Sequence, residues 1–348
     1  MKALYVWLLV ALECGRLAVA DGLNRTSALG DCPALAPRAT GPRDVHDLRV
    51  DDIKVVMALG DSISAGFAAK RKSVFNPMQT YEFRGVSYAA GGDPGACTLP
   101  NMFLRYQPMQ QGASVGQHPA EVCYGLLCPP SQRWPTYDRF NVAQSGAMAR
   151  NLPRQAEYLV RQLRSNPHID FANDWKFLNL QIGSNDLCLA CTSMAGGFSP
   201  ADADTYEQSV REALQLVRNN IPRVFVNLCK WQLLGNFRVT DVYRYGRRHP
   251  RCTLMQSLPM FSFECACALR MDPLGEEARR IMDEQMQVYN ERLQKIYDDY
   301  QREADPQFTV NLQLFETDLT SFPSGALSYF DCFHPSESTH AYLAKTAW

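Results

Sequence analysis

The sequence predicts an α/β protein: a three-layer sandwich around a central parallel sheet, carrying disulfide-rich insertions. Three observations predict it. Short β-branched or apolar runs recur at 53–59, 177–182, 224–228 and 308–314. Apolar stripes at steps of three and four lie between them, as helices packed on a sheet require. Between the first two runs, residues 70–140 break the alternation with many Pro, Gly, Tyr and Gln and with Cys97, Cys123 and Cys128.

From the N-terminus, residues 1–20 read as a signal peptide. Lys2 gives a positive start, residues 3–12 form an apolar run shorter than the about 20 residues that span a bilayer, and Ala18-Val19-Ala20 offers a small-x-small cleavage site. No later stretch is apolar enough to be transmembrane, so the expectation is a secreted, extracellular protein, soluble once exported. Residues 21–50, rich in Pro, Arg, Asp and Gly, read as a loosely ordered lead-in. They hold the one glycosylation sequon, Asn24-Arg25-Thr26. Residues 51–348 form the predicted catalytic-sized domain.

Within that domain, the run at 53–59 ends at Gly60-Asp61-Ser62, a buried strand followed by a turn. Ala156, Leu159, Val160 and Leu163 share a helical face, as do Tyr206, Val210, Ala213, Leu214 and Val217. The longest stripe runs through Ala278, Ile281, Met282, Met286, Tyr289, Leu293, Ile296 and Tyr300. Residues 70–140 are too long for an ordinary loop and read as a disulfide-pinned insertion over the carboxyl edge of the sheet. A second irregular stretch is expected from Trp231 to Pro273.

Composition excludes some classes. The chain has 348 residues, 46% hydrophobic and 20% charged, so it can bury a core and is not disordered. Its formal net charge of -1, from 35 basic and 36 acidic residues, lacks the footprint of a nucleic-acid binder. Of the 12 Cys, Cys14 leaves with the signal; the remaining 11 suggest five bridges and one left over. Cys188-x-x-Cys191 and Cys265-x-Cys267 also suggest zinc, but no His or second Cys pair stands at finger spacing, so disulfides are expected.

In an open α/β sheet, ligands bind beyond the carboxyl ends of the strands. Four polar groups fall there. Ser62 sits in Gly60-Asp61-Ser62-Ile63-Ser64-Ala65-Gly66, where small residues expose a hydroxyl; alone, such a turn is equally a helix cap. Gly146 lets a backbone N–H approach a substrate oxygen, though it also suits a plain turn. Asn185, in Gly183-Ser184-Asn185-Asp186, can donate an amide N–H to an oxyanion or simply form an Asx-turn. In Asp331-Cys332-Phe333-His334, Asp331 can accept the Nδ1 proton and leave Nε2 to take the Ser62 proton. His340 and His249 read as ordinary surface histidines.

Together and in this order, these blocks resemble the SGNH/GDSL hydrolase superfamily, over most of the chain from about Ile53 onward. Gly60-Asp61-Ser62 is similar to its first block, Gly146 to the second, Gly183-x-Asn185-Asp186 to the third and Asp331-x-x-His334 to the last. The stretches Met57-Ala58-Leu59-Gly60-Asp61-Ser62, Tyr88-Ala89-Ala90-Gly91-Gly92, Asn141-Val142-Ala143 and Asp331-Cys332-Phe333-His334 resemble the animal phospholipase B branch. The resemblance implies a flavodoxin-like three-layer fold. It also implies Ser62 as nucleophile, His334 as base, Asp331 as its orienter, and an oxyanion hole from the N–H groups of Ser62 and Gly146 with the Asn185 side chain. No metal or other cofactor is implied. Some relatives carry tandem repeats and a membrane anchor; here one copy and no anchor are expected, and the chain stops at Trp348 within the expected final helix.

The implied substrates are phospholipids and lysophospholipids at a membrane or micelle surface, with no nucleic acid and no obligate protein partner. Arg244, Arg247, Arg248, His249 and Arg251 can meet phosphate head groups, or form a solvated basic loop. Tyr81, Phe83, Tyr88, Phe103 and Tyr106 can line an acyl pocket, or form the insertion's own core. The rival readings are a general carboxylesterase or acetyl esterase, and a non-catalytic lipid-binding protein.

Overall fold

The computed structural model describes residues 34–70, 80–125, 127–129, 132–192, 199, 201–231, 238–258, 264–315 and 318–348. The expected signal peptide, the sequon and Cys32 lie outside these residues. Four strands form one parallel sheet in chain order: β1 (Ile53–Gly60), β2 (Trp175–Gln181), β3 (Val224–Trp231) and β4 (Phe308–Phe315). All four predicted runs are strands; three extend one to three residues beyond the run, while β2 starts two residues earlier than expected and ends at Gln181, leaving Ile182 outside. Parallel strands buried on both faces need helical crossovers, which is why the runs are near-continuously apolar.

The helices that frame the sheet and the site are α1 (Ser62–Ala65), α2 (Leu152–Ser165), α3 (Ser184–Leu187), α4 (Ala203–Asn220), α5 (Asp241–Arg248), α6 (Pro250–Ser257), α7 (Gly275–Arg302) and α8 (Glu337–Ala347); two shorter helices, Leu99–Leu104 and Pro135–Asp138, lie within 80–140. α2, α4 and α7 bury the three predicted stripes against Met57, Leu59, Leu178, Leu180, Val226 and Val310. The opposite face, with Val56, Ala58 and Phe177, is covered by Leu343 of α8 and by Tyr88, Met102 and Phe103. The result is the expected three-layer α/β fold.

Residues 34–50 are better ordered than the composition implied. Val45 and Leu48 are buried in the second core, and Arg38 pairs with Asp47 and Asp52 at 2.6 and 2.7 Å. The stretch from Trp231 is not wholly irregular, since α5 and α6 lie in it. Of the aromatic residues expected to line an acyl pocket, Phe83, Tyr88 and Phe103 are buried and Tyr81 and Tyr106 half-buried: Phe103 packs on Phe177 and Trp348, and Tyr106 stacks on Trp348.

Disulfide pairing also departs from expectation. Among the described residues there are four bridges, Cys123–Cys128, Cys188–Cys265, Cys191–Cys267 and Cys252–Cys332, while Cys97 and Cys229 are buried free thiols. The two close-spaced cysteine pairs cross-link each other. Cys123–Cys128 closes only a local loop, so disulfides do not pin residues 70–140 to the sheet. A buried ion cluster does that instead. Arg84 donates to Glu82 Oε2 through Nε and Nη2 at 3.1 and 2.6 Å, and to the carbonyls of Asn141 and Ala143 at 3.0 and 2.9 Å. Asp138 lies 3.2 Å from Arg84 and 2.7 Å from His118. Burial opposes ionisation of Asp138, but Arg84 and the His118 hydrogen bond lower its pKa to about 2.

His340 is fully buried in α8, not a surface residue; its Nδ1 accepts the Tyr88 N–H at 3.3 Å. Burial, and then the nearby His334, lower its pKa to about 3. The unfolded ring takes a proton below about 6.5 that the folded ring refuses until about 3. Stability should therefore rise with pH across that window, by up to about 1.4 kcal/mol per pH unit from this group. Chemical denaturation at pH 4 and pH 7 checks it: His340→Asn should show a smaller loss on acidification than the wild type.

Candidate active site

Ser62 is carried to the carboxyl edge of the sheet by β1. The chain turns at Gly60, where a Cβ would stand 2.4 Å from the carbonyl oxygen of Gln181 on β2. Only glycine permits that approach. Asp61 then caps α1, its Oδ1 accepting the Ile63 N–H at 3.0 Å. Asp61 is fully buried, which pushes its carboxyl up to about 6.

His334 reaches Ser62 from 272 residues away in sequence: its Nε2 lies 2.8 Å from Ser62 Oγ. Nδ1 lies 2.7 Å from Asp331 Oδ2, and Asp331 Oδ1 accepts the N–H groups of Phe333 and His334 at 2.8 and 3.0 Å. Asp331 therefore satisfies the histidine backbone and ring together, a reason for the Asp-x-x-His spacing. Between them Cys332 adopts φ +51°, an unfavourable conformation for a side chain with a Cβ. Two ties hold it there. Its sulfur bridges Cys252 of α6, and its carbonyl accepts Gln256 Nε2 at 3.0 Å. The ring of Phe67 packs on His334 at 4.6 Å, and both Ser62 and His334 are nearly buried.

Gly146 reaches the sheet edge differently from expectation. Its segment is not a strand; residues 140–144 run along the free edge of β1. Ala58 N–H donates to Phe140 O, Val142 N–H to Ala58 O, and Gln144 N–H to Gly60 O, at 3.0, 2.9 and 3.2 Å. Gly146 itself has φ +80°, and a Cβ there would sit 3.0 Å from Cys123 O. The preceding residue is clamped: Ser145 N–H and Oγ both donate to Glu82 Oε1, at 3.2 and 2.6 Å. The Arg84 cluster thus reaches the active-site loop through Glu82.

Asn185 starts the turn after β2. Its Nδ2 donates to Ala147 O at 3.0 Å, joining this turn to the Gly146 segment. Asp186 anchors the same junction, accepting Ala149 N–H at 3.0 Å; burial pushes its carboxyl up to about 7. The structure therefore brings all five predicted residues, Ser62, Gly146, Asn185, Asp331 and His334, into one connected set of loops at the sheet edge.

The other sequence-level candidates do not join it in this way. Arg244 is tied to Asp241 at 2.6 Å, Arg248 donates to Thr320 O at 2.8 Å, and His249 packs on Tyr245. Conversely, Glu82, Arg84 and Glu264 were not signalled by the sequence, since isolated charged residues normally mark exposed surface. Among the described residues, two groups bring metal-type ligand atoms within 4.8 Å of one another: His118 with Glu121 and Asp138, and Glu264 with Asp331 and His334. The first already surrounds two guanidinium groups, with Arg133 3.2 Å from Glu121. The second is built on the Asp331–His334 pair.

The chain is 30% identical over 328 residues to phospholipase B1, membrane-associated, of Homo sapiens, covering 91% of this chain and 21% of that protein. The corresponding Rattus norvegicus protein is 31% identical over 330 residues, with 91% and 20% covered. The chain thus spans about a fifth of the length of these relatives. Among solved structures, a carbohydrate esterase family 3 protein from Talaromyces cellulolyticus aligns over 84% of this chain and 94% of that one, at a TM-score of 0.38 and 15% identity. No helix of the described residues is long and apolar enough to cross a membrane. Residues 56–347, which include every strand but the start of β1 and all five site residues, match the GDSL-like lipase/acylhydrolase family, and the chain belongs to that family of carboxylic ester hydrolases.

Proposed function

We propose that this chain hydrolyses the carboxylic esters of phospholipids and lysophospholipids by acyl transfer to Ser62, as a secreted enzyme released from residues 1–20. One observation carries the mechanism: the hydrogen-bonded line from Ser62 Oγ through both nitrogens of His334 to Asp331, at 2.8 and 2.7 Å. A serine hydroxyl is a weak nucleophile at neutral pH, and this line supplies the base. His334 Nε2 takes the Oγ proton as Oγ bonds to the ester carbonyl carbon. Asp331 holds the Nδ1–H tautomer and stabilises the imidazolium. The N–H groups of Ser62 and Gly146, neither spent on a hydrogen bond among the described residues, receive the oxyanion together with Asn185 Nδ2. His334 then protonates the departing alcohol, and water repeats the sequence on the acyl-serine to release the fatty acid.

The lipid assignment is supported by the similarity to phospholipase B1. Fatty-acid release from lysophosphatidylcholine and phosphatidylcholine by wild type and Ser62→Ala tests it. Release by the wild type alone supports both mechanism and substrate. No release, with a fluorophosphonate still labelling Ser62, retains the serine hydrolase and rejects the lipid. The N-terminus of protein recovered from culture medium tests cleavage after Ala20.

Asn185→Ala is expected to lower kcat by about 10²–10³-fold with little change in KM, the effect of removing one oxyanion donor. Steady-state kinetics check it. An equal loss confined to KM would mean that Asn185 binds the ground state instead.

A further inference from the structure

Glu264 stands beside the Asp331–His334 pair, held by the pairing of the cysteines. It precedes Cys265, and Cys265 and Cys267 are bridged to Cys188 and Cys191, just after the Asn185 turn. Cys267 N–H also donates to Cys188 O at 3.2 Å. The backbone carrying Glu264 is therefore fixed against the turn that carries Asn185. Its side chain is one fifth exposed, but Oε2 is buried, accepts no hydrogen bond and lies 3.8 Å from His334 Nδ1. Oxygens of Glu264 and Asp331 lie within 4.8 Å of each other.

Two carboxylates cannot both be ionised here without cost. Asp331 is wholly buried, and its oxygens already take two backbone N–H groups and the His334 ring. Among the described residues, Glu264 Oε2 has no donor of its own. A second negative charge would be uncompensated, whereas a proton on Glu264 removes it and supplies a donor to Asp331. Burial, and then the charge of Asp331, push the Glu264 carboxyl well above the usual range. Among the described residues, Asp61 and His340 also interact electrostatically with His334.

We propose that Glu264 is a positioning residue of this site, acting as a neutral acid that hydrogen-bonds Asp331 and fixes its carboxylate toward His334. This rests on the acyl-transfer reading of Ser62, His334 and Asp331. The Glu264 O–H draws charge from Asp331, so the imidazolium of His334 is stabilised less than beside a lone carboxylate. Removing that donor returns charge to Asp331 and strengthens its hold on the imidazolium.

The test compares wild type, Glu264→Gln and Glu264→Met. Gln keeps a neutral donor; Met fills the volume without one. The His334 ring is titrated by NMR, and the pH profile of kcat/KM is followed on a p-nitrophenyl ester. In Glu264→Met the His334 titration and the ascending limb should both move up by about 0.5–1 pH unit, with kcat falling about tenfold. Glu264→Gln should stay within about 0.2 pH unit of wild type. A shift to lower pH in Glu264→Gln would overturn the proposal by showing that Glu264 acts as an anion. An unmoved titration in Glu264→Met would overturn it by showing a packing role only. The NMR titration reads this without turnover, so failure of the esterase reading would appear separately, as loss of p-nitrophenyl ester hydrolysis and of fluorophosphonate labelling in the wild type.

Discussion

Ser62→Ala is expected to lower kcat for ester hydrolysis by about 10⁵–10⁶-fold, the scale seen when the nucleophile of a serine hydrolase is removed. The magnitude follows from the geometry. Ser62 Oγ is 2.8 Å from His334 Nε2, so the nucleophile and base form one unit. Removing either leaves only the oxyanion donors and substrate binding. His334→Ala should therefore lose about as much, and the double variant little more than either single one, because the two act in one step. Asp331→Asn should cost about 10⁴-fold, since an amide stabilises the wrong tautomer of His334. Single-turnover kinetics with p-nitrophenyl butyrate separate these effects from binding. Losses that add across Ser62 and His334 would exclude a concerted pair. Ser62→Ala retaining substantial activity would exclude Ser62 as nucleophile.

Arg84→Met is expected to destabilise the fold by about 3–5 kcal/mol, the cost of breaking a buried ion pair and stranding its partner. Arg84 is wholly buried and its guanidinium answers Glu82, Asp138 and two backbone carbonyls at once. Without it Glu82 and Asp138 remain as buried charges with too little compensation. The consequence is not only global. Glu82 Oε1 holds Ser145, so a displaced Glu82 releases the segment that presents Gly146. Urea denaturation should show the lost stability, and the surviving folded fraction should have reduced kcat. Arg84→Met combined with Glu82→Gln should recover part of the stability by removing one stranded charge. A single variant within about 1 kcal/mol of wild type would mean that water replaces the guanidinium at little cost.

The ionisations at this sheet edge also follow from burial. Asp61 and Asp186 are pushed up to about 6 and 7, so both are protonated in acid while the unfolded chain still releases those protons. Each favours the folded state toward low pH, opposing His340, which favours it toward neutral pH. This is why the acid sensitivity assigned to His340 is read against His340→Asn rather than from the wild type alone.

The sequence by itself determined the strands, the three long helices and which polar residues fall at the strand ends. Those signals are local. A buried parallel strand is a continuous apolar run, a packed helix repeats every three to four residues, and Asp331-x-x-His334 closes its own hydrogen bonds within one turn. Ser62 and Asn185 were legible because each directly follows such a strand. Only the tertiary structure decided the rest, where the determinant lies far along the chain. Gly146 is positioned by a segment that borrows hydrogen bonds from β1 without being a strand. Six of the cysteines pair across 76 to 80 residues, which spacing does not encode, and among the described residues two others stay reduced in the core. His340, Arg84 and Glu264 look like surface residues because polar side chains usually are. Each is instead buried, wholly or at its reacting atom, where other elements supply or withhold its partners, and burial converts an ordinary charge into a determinant of stability or of the histidine's proton.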